Sequence, residues 1–459
     1  MTRTSFKTTI CFLSLAALLC TVSCKKDNQP TTVAQKVNSY MKSTMEEVYL
    51  WEDHIPQGLD PMSDADPVDF FEKLCYRTED GWSYITPDIA TELEETEGVE
   101  TTFGYALAWG SFSNTNNMFA IVRFVYPDTP AAEAGIKRGD IFVKMNNNDI
   151  TRDNYMDLYN SPTALLTFGH VLEDGIHTGS SVSLTARKQT LNPVVEWNVL
   201  EEGAHKAGYL CFTDFTSAAI EPLETALSAF KDAGVQDVVL DLRYNPGGLL
   251  TTASQLIGSL CPASCLDGNT LLISKIWNDL YMDYWNKENR KDQLYSYFPK
   301  ADEIRTNLNL SRLYVITGDW TASASELLIC GLDPYMEVIT IGSPTRGKYT
   351  AASYFIPDEA DIADWGACII LYKYANKLGV TDFKNGFIPD VSVEDVLFGN
   401  VMELGNPQEL CLAEALKAIG FPSADTDRAT AAKATPTGYT LHRLEMPAKA
   451  HNGQLIDIL

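Results

Sequence analysis

The sequence predicts an α/β protein with two smaller domains ahead of its sheet, and three textures along the chain carry that prediction. A helical pattern fills residues 33–95. Short β-like runs follow to about residue 190, and from Gly208 onward continuous apolar strands alternate with helical stretches, as in a parallel sheet covered by helices. With 459 residues, 45% hydrophobic and 10% aromatic, the chain can bury a large core. Its 35 basic and 61 acidic residues leave a formal charge of −26, which repels phosphate backbones and speaks against nucleic acid as a partner.

Residues 1–24 read as an export signal. Arg3 and Lys7 precede the apolar run 10–22, which is shorter than the roughly 20 residues a membrane span needs. The run ends in TVSC followed by KKDNQP, which resembles a bacterial lipoprotein signal and implies lipidation of Cys24. Thr21 departs from the usual Leu, so a cleaved soluble form is the alternative. Either form places the protein outside the cytoplasm, in the cell envelope if lipidated, with the lipid as its membrane contact.

Residues 25–32 form a polar linker. Over 33–95, Val37, Met41, Met45 and Val48 mark one helical face and DPVDFFEKLCYR a second helix. Over 101–190, FGYALAWG, MFAIVRFVY and PAAEAGIKRGDIFVKM resemble a PDZ domain, with a short helix near Ala131 and a strand at 141–145. In such a groove an extended chain end adds a strand, and its carboxylate meets backbone N–H groups. The resemblance places that site on TTFGYALAW, with Gly104 in the turn and Tyr105 and Leu107 lining a pocket for an apolar last side chain. The chain's own apolar end, LIDIL, is expected to compete for the same groove.

In the α/β region, 200–421, GYLCF, DVVLDL, RLYVITG and MEVITIG read as buried strands, with helices around Leu227, ending at Gly234, and over LLTTASQLIGSL. Residues 422–459 are an Ala/Thr-rich tail. Seven cysteines follow Cys24, an odd number in apolar surroundings, so no disulfide framework is implied; CPASC lacks a second Cys/His pair, so no metal site is implied either.

One stretch invites chemistry. TASASE, 321–326, lies between a buried strand and a helix, and sets three small hydroxyls beside the unpaired N–H groups of a first helical turn. Ala322 and Ala324 leave room for a carbonyl to approach Ser323, whereas Thr321 and Ser325 suit turn and capping roles. None of the six histidines falls in the α/β segment between Gly208 and Phe421, and no G-x-S-x-G elbow surrounds Ser323. Lys348, in SPTRGKYT, can act as base if burial lowers its pKa from about 10.4 towards 7. GSPTRGK also fits a phosphate-binding loop, but Tyr349 stands where magnesium binding needs Ser or Thr.

DLRYNPGGLL, TASASELL and GSPTRGK together resemble the signature blocks of the carboxyl-terminal processing peptidases, with Lys348 lying 25 residues after Ser323. The likeness runs over most of 33–420 and implies a crotonase-like ββα peptidase core after helical and PDZ domains. It implies Ser323 as nucleophile, Lys348 as general base, and an oxyanion held by the backbone of Ala324 and of Gly247 or Gly248. Ala352 stands where some members orient the lysine with Gln, and Pro334 where others have Asp, which leaves Glu326 and Asp333 as candidates for a third group. The implied function is cleavage of polypeptides, without cofactor, with substrate C-termini recognised through the PDZ domain. The rival is a catalytically silent peptide-binding lipoprotein on the same scaffold; an acyl-CoA enzyme of crotonase type would leave the export signal without a purpose.

Overall fold

The computed structural model describes residues 30–112, 115–172, 175–399 and 401–422, together with the strands Tyr439–His442 and Leu455–Ile456. The signal sequence, Cys24 and residues 25–29 of the linker lie outside the described residues. So does most of the tail.

The four apolar runs expected as strands assemble into one six-stranded sheet. His205–Phe212, Asp237–Asp241, Arg312–Thr317 and Glu337–Gly342 lie side by side and parallel, with Val194–Glu202 antiparallel at one edge and Val391–Ser392 parallel at the other. Parallel neighbours need crossovers, and the helices Ile220–Ala233, Leu250–Leu260 and Ala324–Leu332 lie in the three that link these four strands. The first ends where Gly234 takes a left-handed conformation, as its position in the sequence predicts. Leu223, Leu227 and Phe230 are buried against Leu210, Leu240 and Leu313 in the largest hydrophobic cluster.

A second sheet was only partly readable. Its long central strand, Gly366–Asn376, pairs with Thr350–Phe355 on one side and Leu271–Trp277 on the other. The N-terminal segment is fused to it: Tyr84–Thr86 pairs with the same strand, and Val37, Met41 and Met45 of the helix Val33–Val48 are buried in the shared core. The β-rich segment has its own core, built on Tyr105–Phe112, Met118–Val125, Ile141–Met145, Thr163–Leu172 and Gly175–Thr185, with a four-residue helix at Pro130–Glu133. Arg138 joins it to the large sheet by ion-pairing with Asp395 at 2.6 Å.

The two described tail strands correct the expectation for LIDIL. Leu455–Ile456 pairs within the second sheet, while Tyr439–His442, some residues earlier, runs along Trp109–Phe112 of the β-rich segment. The seven described cysteines are free, and all but Cys75 are buried.

Candidate active site

The chain leaves the large sheet at Thr317, turns through 318–323 and enters the helix Ala324–Leu332, so that Ser323 is the residue before the helix. Thr321 and Ser325 are turn groups. Thr321 Oγ1 accepts the Gly318 N–H at 2.9 Å and donates to the Leu242 carbonyl at 2.7 Å. Ser325 Oγ donates to the carbonyl of Asn245 at 3.1 Å, and the Ala322 N–H donates to the same oxygen at 3.2 Å. The NPGG loop and the serine turn are thereby stitched together.

Ser323 differs from both neighbours. Its φ of 58° and ψ of −111° are sparsely populated for an L-residue, a conformation that costs about 1–3 kcal/mol and persists only where surroundings enforce it. Its Oγ is buried and has no hydrogen-bond partner among the described residues. A buried hydroxyl without a hydrogen-bond partner can attack once a base comes within reach; such bonds commonly close only when substrate binds.

Lys348 lies in the loop before Thr350–Phe355 and is fully buried. Burial pushes its pKa down to about 7, against the opposing influence of Cys368, Asp80 and Glu326. Its Nζ sits 4.9 Å from the ring centroid of Trp82, a residue of the N-terminal segment. Asp80, which accepts the N–H groups of Trp82 and Ser83 at 2.8 Å each, comes from that segment too. The N-terminal segment therefore helps to build the site, a role its helical pattern does not reveal.

The loop carrying Lys348 is fixed by Gly347, whose φ is +93° and where any Cβ would stand 2.2 Å from the Lys384 carbonyl oxygen. A single buried carboxylate then ties it to the serine turn. Glu326 accepts the N–H of Ser323 at 2.9 Å, of Lys348 at 2.8 Å and of Gly347 at 2.7 Å, and the hydroxyl of Thr345 at 2.6 Å. Burial nonetheless raises its pKa, with those four donors pulling the other way. From the opposite side, the hydroxyl of Tyr374 on the central strand reaches the carbonyls of Ser323 at 3.3 Å and Lys348 at 3.2 Å. Glu326 thus positions both backbones through their amides, and Tyr374 through their carbonyls. Nothing in the sequence singled out Tyr374, which reads as one more aromatic in an apolar strand.

Of the proposed oxyanion donors, Gly247 is placed for a different task. Its N–H donates to Asn245 Oδ1 at 2.9 Å, so that donor is committed inside its own loop. Its lack of a side chain is what matters: a Cβ there would stand 2.8 Å from Ser323 Cβ and 3.0 Å from the amide nitrogen of Ala324. Glycine keeps the Ala324 amide uncovered, whereas Gly248 lies against Phe215 and pairs with Leu455.

Asp333 is corrected as a third group. It caps the far end of the serine helix, exposed, and a nine-residue helix spans about 13 Å. Tyr105 and Leu107 are corrected as pocket residues, because both are buried in the core of the β-rich segment, Tyr105 stacked on Phe103 at 5.6 Å. Gly104 does make the tight turn, at φ +88°, with Thr129 against it. No group of three or more His, Cys, Asp or Glu among the described residues is arranged to hold a metal ion.

Residues 206–393 match the model of peptidase family S41, and residues 36–84 that of the peptidase S41 N-terminal domain. A carboxyl-terminal-processing protease of Picosynechococcus is 27% identical over 63% of this chain and 64% of its own length; its counterpart from Synechocystis is 25% identical over 63% and 62%. The chain thus spans somewhat less than two thirds of these curated relatives. A crystal structure of an S41 protease from Bacteroides fragilis superposes with a TM-score of 0.67 at 26% identity, covering 83% of this chain and 96% of that one.

Proposed function

The chain belongs to peptidase family S41, and on that premise we propose that it is a serine endopeptidase working through Ser323 and Lys348. The observation that carries the reading is the shared clamp: Glu326 and Tyr374 hold the backbones of both residues while burial brings the lysine to about 7, where an amine can take a proton at physiological pH. Ser323 Oγ attacks a peptide carbonyl, and Lys348 Nζ takes its proton and passes it to the leaving amine. The developing oxyanion is met by the Ala324 and Gly248 amides, and water then hydrolyses the acyl-enzyme. No step calls for a cofactor.

The substrates proposed are extended polypeptides. The β-rich segment serves as the PDZ-like module that takes up their free C-termini, along the edge of Tyr105–Phe112, where Tyr439–His442 already adds a strand. The signal at residues 1–24 supports export and anchoring by a lipid on Cys24 to a bacterial envelope.

A fluorophosphonate probe tests the nucleophile. Covalent labelling of the purified protein, lost in Ser323→Ala, is the expected result. Absence of labelling across pH 6–9, roughly the span over which such a lysine titrates, would turn the reading to a silent peptide-binding protein on the same scaffold.

A further inference from the structure

A two-residue strand of the second sheet lies between the two strands that flank the candidate dyad. Leu455–Ile456 runs parallel to both of its neighbours: Leu455 is level with Gly248 and Ala351, and Ile456 with Leu249 and Ala352. On one side, Gly248 directly follows the glycine that faces Ser323. On the other, Ala351 is three residues beyond Lys348. Both ladders place the tail within a few residues of the two groups that would perform the chemistry.

Without this strand, Gly248–Leu249 and Thr350–Phe355 face each other across a gap one strand wide, about 9–10 Å between the flanking backbones. Neither flank is paired to the other. Such a gap offers N–H and C=O groups from both sides and takes up any extended chain that reaches it. The tail is already guided there from the β-rich segment, where Tyr439–His442 pairs antiparallel with Trp109–Phe112. A tethered segment acts at an effective concentration in the millimolar range, so two residues of pairing suffice for substantial occupancy.

We propose that this gap is a strand-binding slot whose resident occupant is the chain's own C-terminal segment around Leu455–Ile456, and that any polypeptide reaching Ser323 must displace it. The slot rests on backbone pairing alone. What the tail competes with rests on the peptidase reading above.

The test uses the full-length chain carrying Leu455→Pro and Ile456→Pro, since proline lacks the N–H a ladder needs. A freed slot lowers KM for a peptide substrate by at least about fivefold with kcat within about twofold, as expected when the competent fraction rises from a fifth or less. Ladder amides that face the slot, those of Gly248 and of the Ala351–Ala352 stretch, then exchange faster with solvent than in the parent. A synthetic peptide of residues 450–459 should bind the double variant and not the parent. Unchanged KM together with unchanged exchange overturns the proposal. So does removal of the last residues of the parent protein by its own Ser323, because the tail is then a substrate and not a resident. If neither protein cleaves any peptide, the peptidase reading fails, while exchange and peptide binding still decide the slot.

Discussion

Arg243 and Lys348 are both cations sealed inside the same domain, and they titrate in opposite directions. Arg243 forms bidentate contacts with Asp241 and with Glu409, at 2.8–3.1 Å, and meets Asp395 at 3.0 Å. Burial opposes its charge, but Asp241 and Glu409 hold it well above the ordinary arginine value. Asp395, despite burial, is held well below the carboxylate range by Arg138 and Arg243. Around Lys348 the order is reversed: burial outweighs Cys368, Asp80 and Glu326, and the amine falls to about 7. Glu326 also favours the charged amine, but its oxygens are spent on three backbone amides and a hydroxyl. Carboxylates aimed at side chains make a charge permanent and structural; the same group aimed at the backbone leaves a neighbouring amine free to titrate.

The comparison breaks first at the two cations. Lys348→Ala should cost at least about a thousandfold in kcat/KM with the melting temperature retained, and Lys348→Arg should not restore activity, because guanidinium stays charged. Arg243→Met should do the reverse. It strands Asp241 and Glu409 in the interior and should lower stability by about 3–5 kcal/mol in denaturant titrations, with kcat/KM per folded molecule far less affected than by loss of Lys348.

Smaller effects sharpen the contrast. Glu326→Gln turns one acceptor oxygen into a donor facing backbone N–H groups, and kcat/KM is expected to fall about a hundredfold; Tyr374→Phe removes only the two carbonyl contacts and should cost about tenfold. The smallest change is a shift rather than a loss. Activity should rise with pH through one ionisation near 7, since the neutral amine is the base. Trp82→Ala opens Lys348 to water, relieves the desolvation and should move that midpoint upward by about one unit. A midpoint that stays fixed in Trp82→Ala while Lys348→Ala abolishes activity would place the desolvation elsewhere.

Much of this was legible in the chain. The strands of the large sheet are buried on both faces, so they appear as unbroken apolar runs, and the turn chemistry at 318–324 follows from small residues between a strand and a helix. Gly366–Asn376 is not read as a strand from the sequence, although its run is as apolar; no βα alternation frames it, and it pairs antiparallel with strands as far away as Leu271–Trp277 and Tyr84–Thr86. Roles that depend on which atom meets which were beyond reach. Gly247 looked like a donor, but Asn245, two residues before it, takes its amide. Tyr374 and the tail strand are ordinary in sequence and acquire their roles only from what they meet across the fold.

The Trp82 ring over Lys348 has a consequence for the chain before it is finished. In an unfolded polypeptide the lysine sits near 10.4, and at pH 7 fewer than about one molecule in a thousand carries the free amine. Under the proposed mechanism the base is not formed until the N-terminal segment has closed over the loop that follows the fourth parallel strand. A nascent or unfolded copy therefore lacks a neutral amine at Lys348, and that amine arrives in the same event as the native state.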